Sequence, residues 1–326
     1  MFRKLGVLVI AGLLVMLLLG CSPQAPSLSS GDDPGNGGVA AVKVSLVVTQ
    51  DFGREVLLEK TVGVAPDTSA MAALQKVASV GTKYGGGFVS AINGTGSKYE
   101  GDSGNKRDWF FYINGIQSSV GARDYLLQDG DIEHWDFRDW SYQMFVPAII
   151  GDFPQPFRSG YKGKNKPTVI AYGKQFEEDA WLLIQRLREL GVERVSALRC
   201  SELTQVERQE SHLILLGDAN NEIIEELNND YQKLGFYAYF RQGKLVVLNA
   251  RGKVAREYGA GTGLIQATQN PWSQGGVGSG ESAVWMVSGT DEDGVKSAVE
   301  ILVKSHERLN YAYSVVITEG RVLKVP

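Results

Sequence analysis

Between Asp108 and Trp140 the chain reads DWFFYINGIQSSVGARDYLLQDGDIEHWDFRDW, and this stretch constrains the fold more than any other. Side chains along a strand point alternately to opposite faces. Trp109, Phe111 and Ile113 therefore share one face of a first strand, and Phe110, Tyr112 and Asn114 share the other. In a second strand Trp135 and Phe137 oppose a polar set of His134, Asp136 and Arg138. The tight-turn pair Asn114-Gly115 and the turn at Asp129-Gly130 punctuate the run. A half-buried sheet needs only one bulky face. The alternation thus predicts one face in the core and a second left as a platform for something flat.

The order Trp109 with its aromatic run, Tyr112-Ile113-Asn114-Gly115, Gly121-Ala122-x-Asp124-Tyr125 and Asp129-Gly130-Asp131-x-x-x-Trp135 resembles the C-terminal domain of transcobalamin and intrinsic factor. It resembles still more the bacterial transcobalamin-like modules of surface lipoproteins. The resemblance spans residues 42–140 and implies a small β-grasp (ubiquitin-like) fold. In the animal carriers that domain covers one side of a bound cobalamin, so a corrinoid is the ligand it suggests; no covalent cofactor is implied.

A chain of 326 residues exceeds the roughly 250 at which single cores stop growing, so two folded domains are expected. The net charge of −4, with no basic clusters, argues against nucleic acid as a partner. At the N-terminus Arg3 and Lys4 precede an apolar run from Leu5 to Leu19. That run is short for a spanning helix, which needs about 20 residues, and right for a signal peptide. Leu18-Leu19-Gly20-Cys21 resembles a bacterial lipobox, which implies lipid attachment at Cys21 and residence on the extracytoplasmic face of a bacterial membrane. The Ser-, Pro-, Gly- and Asp-rich residues 22–40 cannot bury enough apolar surface to offset ordering entropy and read as a tether. The expected organisation is a signal peptide over 1–20, a tether over 21–40, a β-grasp domain over 41–142, an ordered connector over 143–166 and an α/β domain over 167–326.

In the first domain Val42–Val48 and Glu55–Val64 read as strands. A helix with Met71, Leu74 and Val77 follows the capping oxygens of Asp67, Thr68 and Ser69. Three glycines between Tyr84 and Phe88 permit positive φ and close backbone approach; an ordinary turn explains them equally well. Val89–Ile92 continues as a strand. Across residues 141–167, which hold four prolines, Phe145, Val146, Ile149 and Ile150 need burial. From Pro167 strands alternate with helices: Thr168–Ala171, a helix over Phe176–Leu190 with Trp181, Ile184, Leu187 and Leu190 on one stripe, and the strand Val192–Leu198. The apolar run His212–Leu216, a helix capped by Asn220 or Asn221, a hairpin about Gln242-Gly243, the strand Val284–Ser288 and a helix over Asp291–Leu309 follow, and Tyr313–Ile317 closes the domain. That alternation predicts a mostly parallel sheet with helices on its faces. The whole is then an α+β β-grasp domain followed by an α/β domain, the latter similar to modules that accompany surface and S-layer proteins.

Little in the chain speaks for catalysis. Gly259, Gly261 and Gly263 miss the strand–G-x-G-x-x-G–helix context of a dinucleotide loop. His134, His212 and His306 lack metal-ligand spacing, and no nucleophile elbow or Cys-His pairing is evident; no enzyme is expected. There is no Asp-x-His-x-x-Gly, the motif with which enzymes supply a histidine to cobalamin's cobalt. Two functions compete. One is a membrane-anchored corrinoid-binding lipoprotein serving an uptake transporter, with Tyr84, Phe88, Trp109, Tyr112, Asn114 and Tyr125 as candidate ligand-binding residues. The other is a surface adhesion module for protein or glycan, without a cofactor. A concave aromatic pocket beside the glycine run distinguishes the first; a flat face there, the second.

Overall fold

The computed structural model describes residues 41–97, 105–280 and 282–326. The signal peptide, Cys21 and the tether to residue 40 lie outside the described residues. The described chain is a mixed α and β protein made mostly of strands, in sheets that combine parallel and antiparallel pairing.

Strand β1 (Val42–Gln50) turns through Asp51, Phe52 and Gly53, all at positive φ, into β2 (Glu55–Val64). Ser69 caps α1 (Ala70–Val77) by accepting from the Ala72 N–H, one of the donors a helix start leaves free. A small meander follows: β3 (Val80–Lys83), β4 (Phe88–Ile92) and β5 (Thr95–Gly96). Then come β6 (Arg107–Ile113), β7 (Ile116–Gln117) and β8 (Ile132–Asp139). Five of these form one sheet in the order β2-β1-β8-β6-β7. Its first and last long strands, β1 and β8, lie side by side and parallel, and its other pairings are antiparallel. Helix α1 buries Met71, Ala73 and Leu74 in one cluster with Val44, Leu46, Val48 and Trp135.

The second half begins with β9 (Thr168–Tyr172), α2 (Glu177–Glu189), β10 (Val195–Arg199), α3 (Gln205–Glu210), β11 (His212–Asp218) and α4 (Glu222–Asn229). A separate antiparallel sheet, β12 (Ala238–Arg241), β13 (Lys244–Leu248) and β14 (Val254–Tyr258), follows. Strands β15 (Gly263–Gln269) and β16 (Ala283–Gly289), helix α5 (Glu292–Lys304) and the hairpin β17 (Ser314–Thr318) and β18 (Arg321–Val325) complete it. The large sheet has the order β10-β9-β11-β16-β15-β17-β18. Only its first four strands are parallel, so the expected mostly parallel sheet is a mixed one. The reason is in the connections. A loop, not a crossover helix, joins β15 to β16, and Glu319-Gly320, both at positive φ, closes β17 on β18. The glycine run expected to be unlike a nucleotide loop has a packing role at Gly263, where a Cβ would stand 2.5 Å from the Gly294 carbonyl of α5. Trp181, expected on the buried stripe of α2, is instead 52% exposed.

The face of β6 and β8 that the alternation left as a platform is not free. Phe110 and Tyr112 join Val146, Ile149, Val169, Leu213 and Val316 in one buried cluster that runs from the first sheet into the second. His134, Asp136 and Arg138 are fully buried with them. Buried polar groups need partners, and apart from the Arg138 Nε these have them. Asp136 accepts from Thr49 Oγ1 (2.7 Å), the Phe52 and Gly53 N–H groups (3.1 Å each) and the Tyr313 hydroxyl (3.0 Å). His134 bridges Thr49 (3.0 Å) and Asp152 (2.8 Å), and Asp152 accepts from the Gly115 N–H at 2.9 Å. Arg138 donates to the Gln143 and Met144 carbonyls at 2.8 Å and lies 3.6 Å over the Phe110 ring. The connector is part of this seam: Val146, Ile149 and Ile150 are buried, and the Ile149 N–H donates to the Gly115 carbonyl. The described residues from 41 onward thus form one compact unit.

Candidate functional site

The opposite face of β6 and β8 keeps an opening. Register pairs Phe111 with Trp135 and Trp109 with Phe137, which puts all four rings on one side of the sheet. Helix α1 packs in one cluster with Trp109, Trp135 and Phe137. Beyond it, the turn between β3 and β4 and the segment around Gly121 stand up as walls. Between them lies a hollow of about 190 Å³ whose lining includes Gly87, Phe88, Trp109, Phe111, Ala122 and Trp135 and the polar Gln117 and Ser118.

Local chemistry shapes each wall. Tyr84, Gly85 and Gly86 all adopt positive φ, which the two glycines tolerate without a Cβ penalty. Gly86 has a second constraint, since a Cβ there would stand 2.7 Å from the Arg123 guanidinium. Arg123 in turn donates to the Gly85 carbonyl at 2.7 Å, tying this turn to the opposite wall. On the floor, Phe111 stacks on Trp135 with centroids 4.7 Å apart and planes 24° from parallel. Both indole N–H groups are already used: Trp109 donates to the Thr95 carbonyl (3.1 Å) and Trp135 to Glu133 Oε1 (2.7 Å). What the hollow offers a ligand is therefore ring surface together with polar backbone and side-chain atoms, Gln117 and Ser118 among them. Glu133 is fully buried beneath Trp135, and burial pushes its carboxyl well above the ordinary glutamate range despite the Trp135 hydrogen bond.

The candidate residues divide. Phe88 and Trp109 line the hollow. Tyr84 stands at its rim, 87% exposed and edge-on to Phe88. The other three are elsewhere. Tyr112 is buried on the seam side, where its hydroxyl donates to the Val146 carbonyl at 3.2 Å. Asn114 sits at φ 53° in a tight turn. Its amide donates to Asp131 (2.7 Å) and the Gly160 carbonyl (2.8 Å) and accepts from the Ile132 N–H (2.9 Å), so it has structural work and no free edge. Tyr125 is buried, donating to Asp131 and accepting from the Lys162 N–H, and burial raises its phenol. Phe111 and Trp135 were missed as lining residues. The alternation that placed Phe111 on the Trp109 side carried the signal; the β6–β8 register needed to add Trp135 did not.

Residues 67–139, which run from the capping segment of α1 to the end of β8, match a family described as a domain of unknown function, DUF4430. No curated protein matches the chain. Among solved structures, haptocorrin in complex with Cbi is similar at 14% identity over 31% of this chain, with a TM-score of 0.27; this chain covers 26% of haptocorrin. A candidate metal-binding protein from Ruminococcus gnavus is similar at 15% identity, covering 30% of this chain and 97% of that one, with a TM-score of 0.24. Scores this low assign neither a fold nor a ligand, so the hollow must be read from its own residues.

Proposed function

We propose that this chain is a lipid-anchored, extracytoplasmic binding protein whose first half takes a corrinoid, without catalysis, for delivery to an uptake system. The observation that carries the reading is the aromatic hollow itself. Its walls combine ring surface and glycine backbone with polar groups that include Gln117 and Ser118, and small-molecule sites likewise join apolar surface to placed polar groups. A concavity beside the glycine turn, rather than a flat face, favours this reading over an adhesion module. The sheet order β2-β1-β8-β6-β7, with α1 on one face, supports the β-grasp assignment that the sequence resemblance implies. At about 190 Å³ the hollow holds one edge of a corrin ring, so a second wall comes from a partner molecule.

Titration with cyanocobalamin and dicyanocobinamide tests the proposal. Bound chromophore and quenching of tryptophan fluorescence, both weakened by Trp109→Ala, are expected. No retained chromophore at micromolar protein would end the corrinoid reading. Cys21-dependent incorporation of a labelled lipid precursor tests the anchor separately.

A further inference from the structure

A cleft larger than the aromatic hollow lies elsewhere in the described residues. It measures about 620 Å³ and lies at the C-terminal ends of β9, β10 and β11. We propose that it is a second, independent binding site, for a small zwitterion of amino-acid or short-peptide type.

Topology creates the cleft. The chain leaves β9 into α2, whose Ala180, Leu183 and Leu187 pack on the Ile170 and Tyr172 side of the sheet. It leaves the neighbouring β11 into α4, whose Ile223, Ile224 and Leu227 pack on the Val169 and Ala171 side. Adjacent parallel strands whose connections depart to opposite faces leave a crevice beyond their carboxyl ends, where open α/β sheets bind ligands. The volume falls within the roughly 300–1,000 Å³ of small-molecule sites. Gly217 at the end of β11 lets Asn221 close in, since a Cβ there would meet the Asn221 side chain at 2.8 Å.

The wall chemistry selects the ligand. Tyr172 and Ile223, each 7% exposed, give an apolar floor, with half-buried Cys200 beside them. Lys174 stands on the wall after β9 and Glu222 on the first turn of α4. Among the described residues neither makes an ion pair. The remaining charges are engaged: Glu226 accepts from Arg208 (2.6 Å) and Trp272 (2.7 Å), and Arg199 lies 4.0 Å from Glu177. An unpaired cation and an unpaired carboxylate on one cleft suit a molecule carrying both charges. A multiply charged anion such as a nucleotide would instead meet Glu222 at the helix end that would otherwise attract it.

The test uses the full chain and the dipeptide alanyl-leucine, with its N-acetyl and C-amide forms, in calorimetric titration. Alkylation of Cys200, followed by mass spectrometry of its peptide, gives a second readout at the cleft wall. The free dipeptide should bind and slow alkylation. Blocking either end, or substituting Lys174→Ala or Glu222→Gln at these exposed positions, should weaken binding about tenfold or more, with circular dichroism unchanged. No heat and no protection at millimolar dipeptide would overturn the proposal, as would equal binding of the blocked forms or of either variant. Neither outcome alters the corrinoid titration, so the two sites stand or fall separately.

Discussion

Asp136→Asn probes the polar seam at its centre. The carboxylate is fully buried and receives four hydrogen bonds, two at each oxygen, and each oxygen takes one backbone N–H: Gly53 at Oδ1 and Phe52 at Oδ2. Asparagine replaces one acceptor by an NH₂. The Thr49 and Tyr313 hydroxyls can rotate to accept from it, but a backbone N–H cannot reverse. Whichever way the amide is turned, one buried N–H loses its partner, at about 1–3 kcal/mol, and the surviving bonds lose their charge assistance, at about 1 kcal/mol each. The total is about 3–5 kcal/mol, in line with breaking other buried charged networks. For a folded unit of this size that lowers Tm by about 6–10 °C. Urea unfolding followed by both circular dichroism and tryptophan fluorescence measures it. Because the seam joins β1 and β8 to Tyr313, the two probes should still move together. A loss below about 1 kcal/mol, or a first half that melts on its own, would refute the argument that this network holds the two sheets as one unit.

Three further outcomes are expected. Phe88→Ala should weaken corrinoid binding about tenfold and barely move the urea midpoint, whereas Tyr112→Phe should leave affinity unchanged; the reverse pattern would remove the hollow as the site. Glu133 holds its proton above the ordinary value of 4.5 because it is buried. As pH rises past that value the unfolded chain releases this proton while the folded one keeps it, and stability falls. Glu133→Gln should therefore match the parent in acid and exceed it at neutral pH, and identical urea midpoints at both would contradict this. His212 is the opposite case: burial lowers it from 6.5 to about 3, so between those values the unfolded chain takes the proton first and stability drops as pH falls. His212→Gln can still accept from the Ala283 N–H and should show a shallower acid limb; an unchanged limb would refute the assignment.

Period-two alternation carried the first sheet well, because strand faces are local. Val42–Gln50, Glu55–Val64 and the two aromatic strands appear nearly where the pattern put them. Which face would be open was not legible. His134, Asp136 and Arg138 look like a solvated set, and only Thr49, Asp152 and Tyr313, distant in sequence, turn them into an interior one. The same blindness placed Tyr112 and Asn114 in the site. In the second half, buried strands announced themselves by continuous apolar runs, but direction depends on how the chain returns. The loop between Gln269 and Ala283 offers no periodicity from which an antiparallel return could be read. His306, set aside in the sequence for want of metal-ligand spacing, lies 3.3 Å from the Arg186 guanidinium. Burial first, and then that charge, lower its pKa.

The seam also bears on where this chain can be cut. A fragment ending near Trp140 would keep every strand of the five-stranded sheet, yet it would turn Phe110, Tyr112 and the Arg138 guanidinium out toward water and strip Asp136 of its Tyr313 donor. The motif match ends at residue 139, but the cooperative boundary does not. Any excised piece that is to stay soluble must carry the strand hairpin at the far C-terminal end along with the aromatic ribbons.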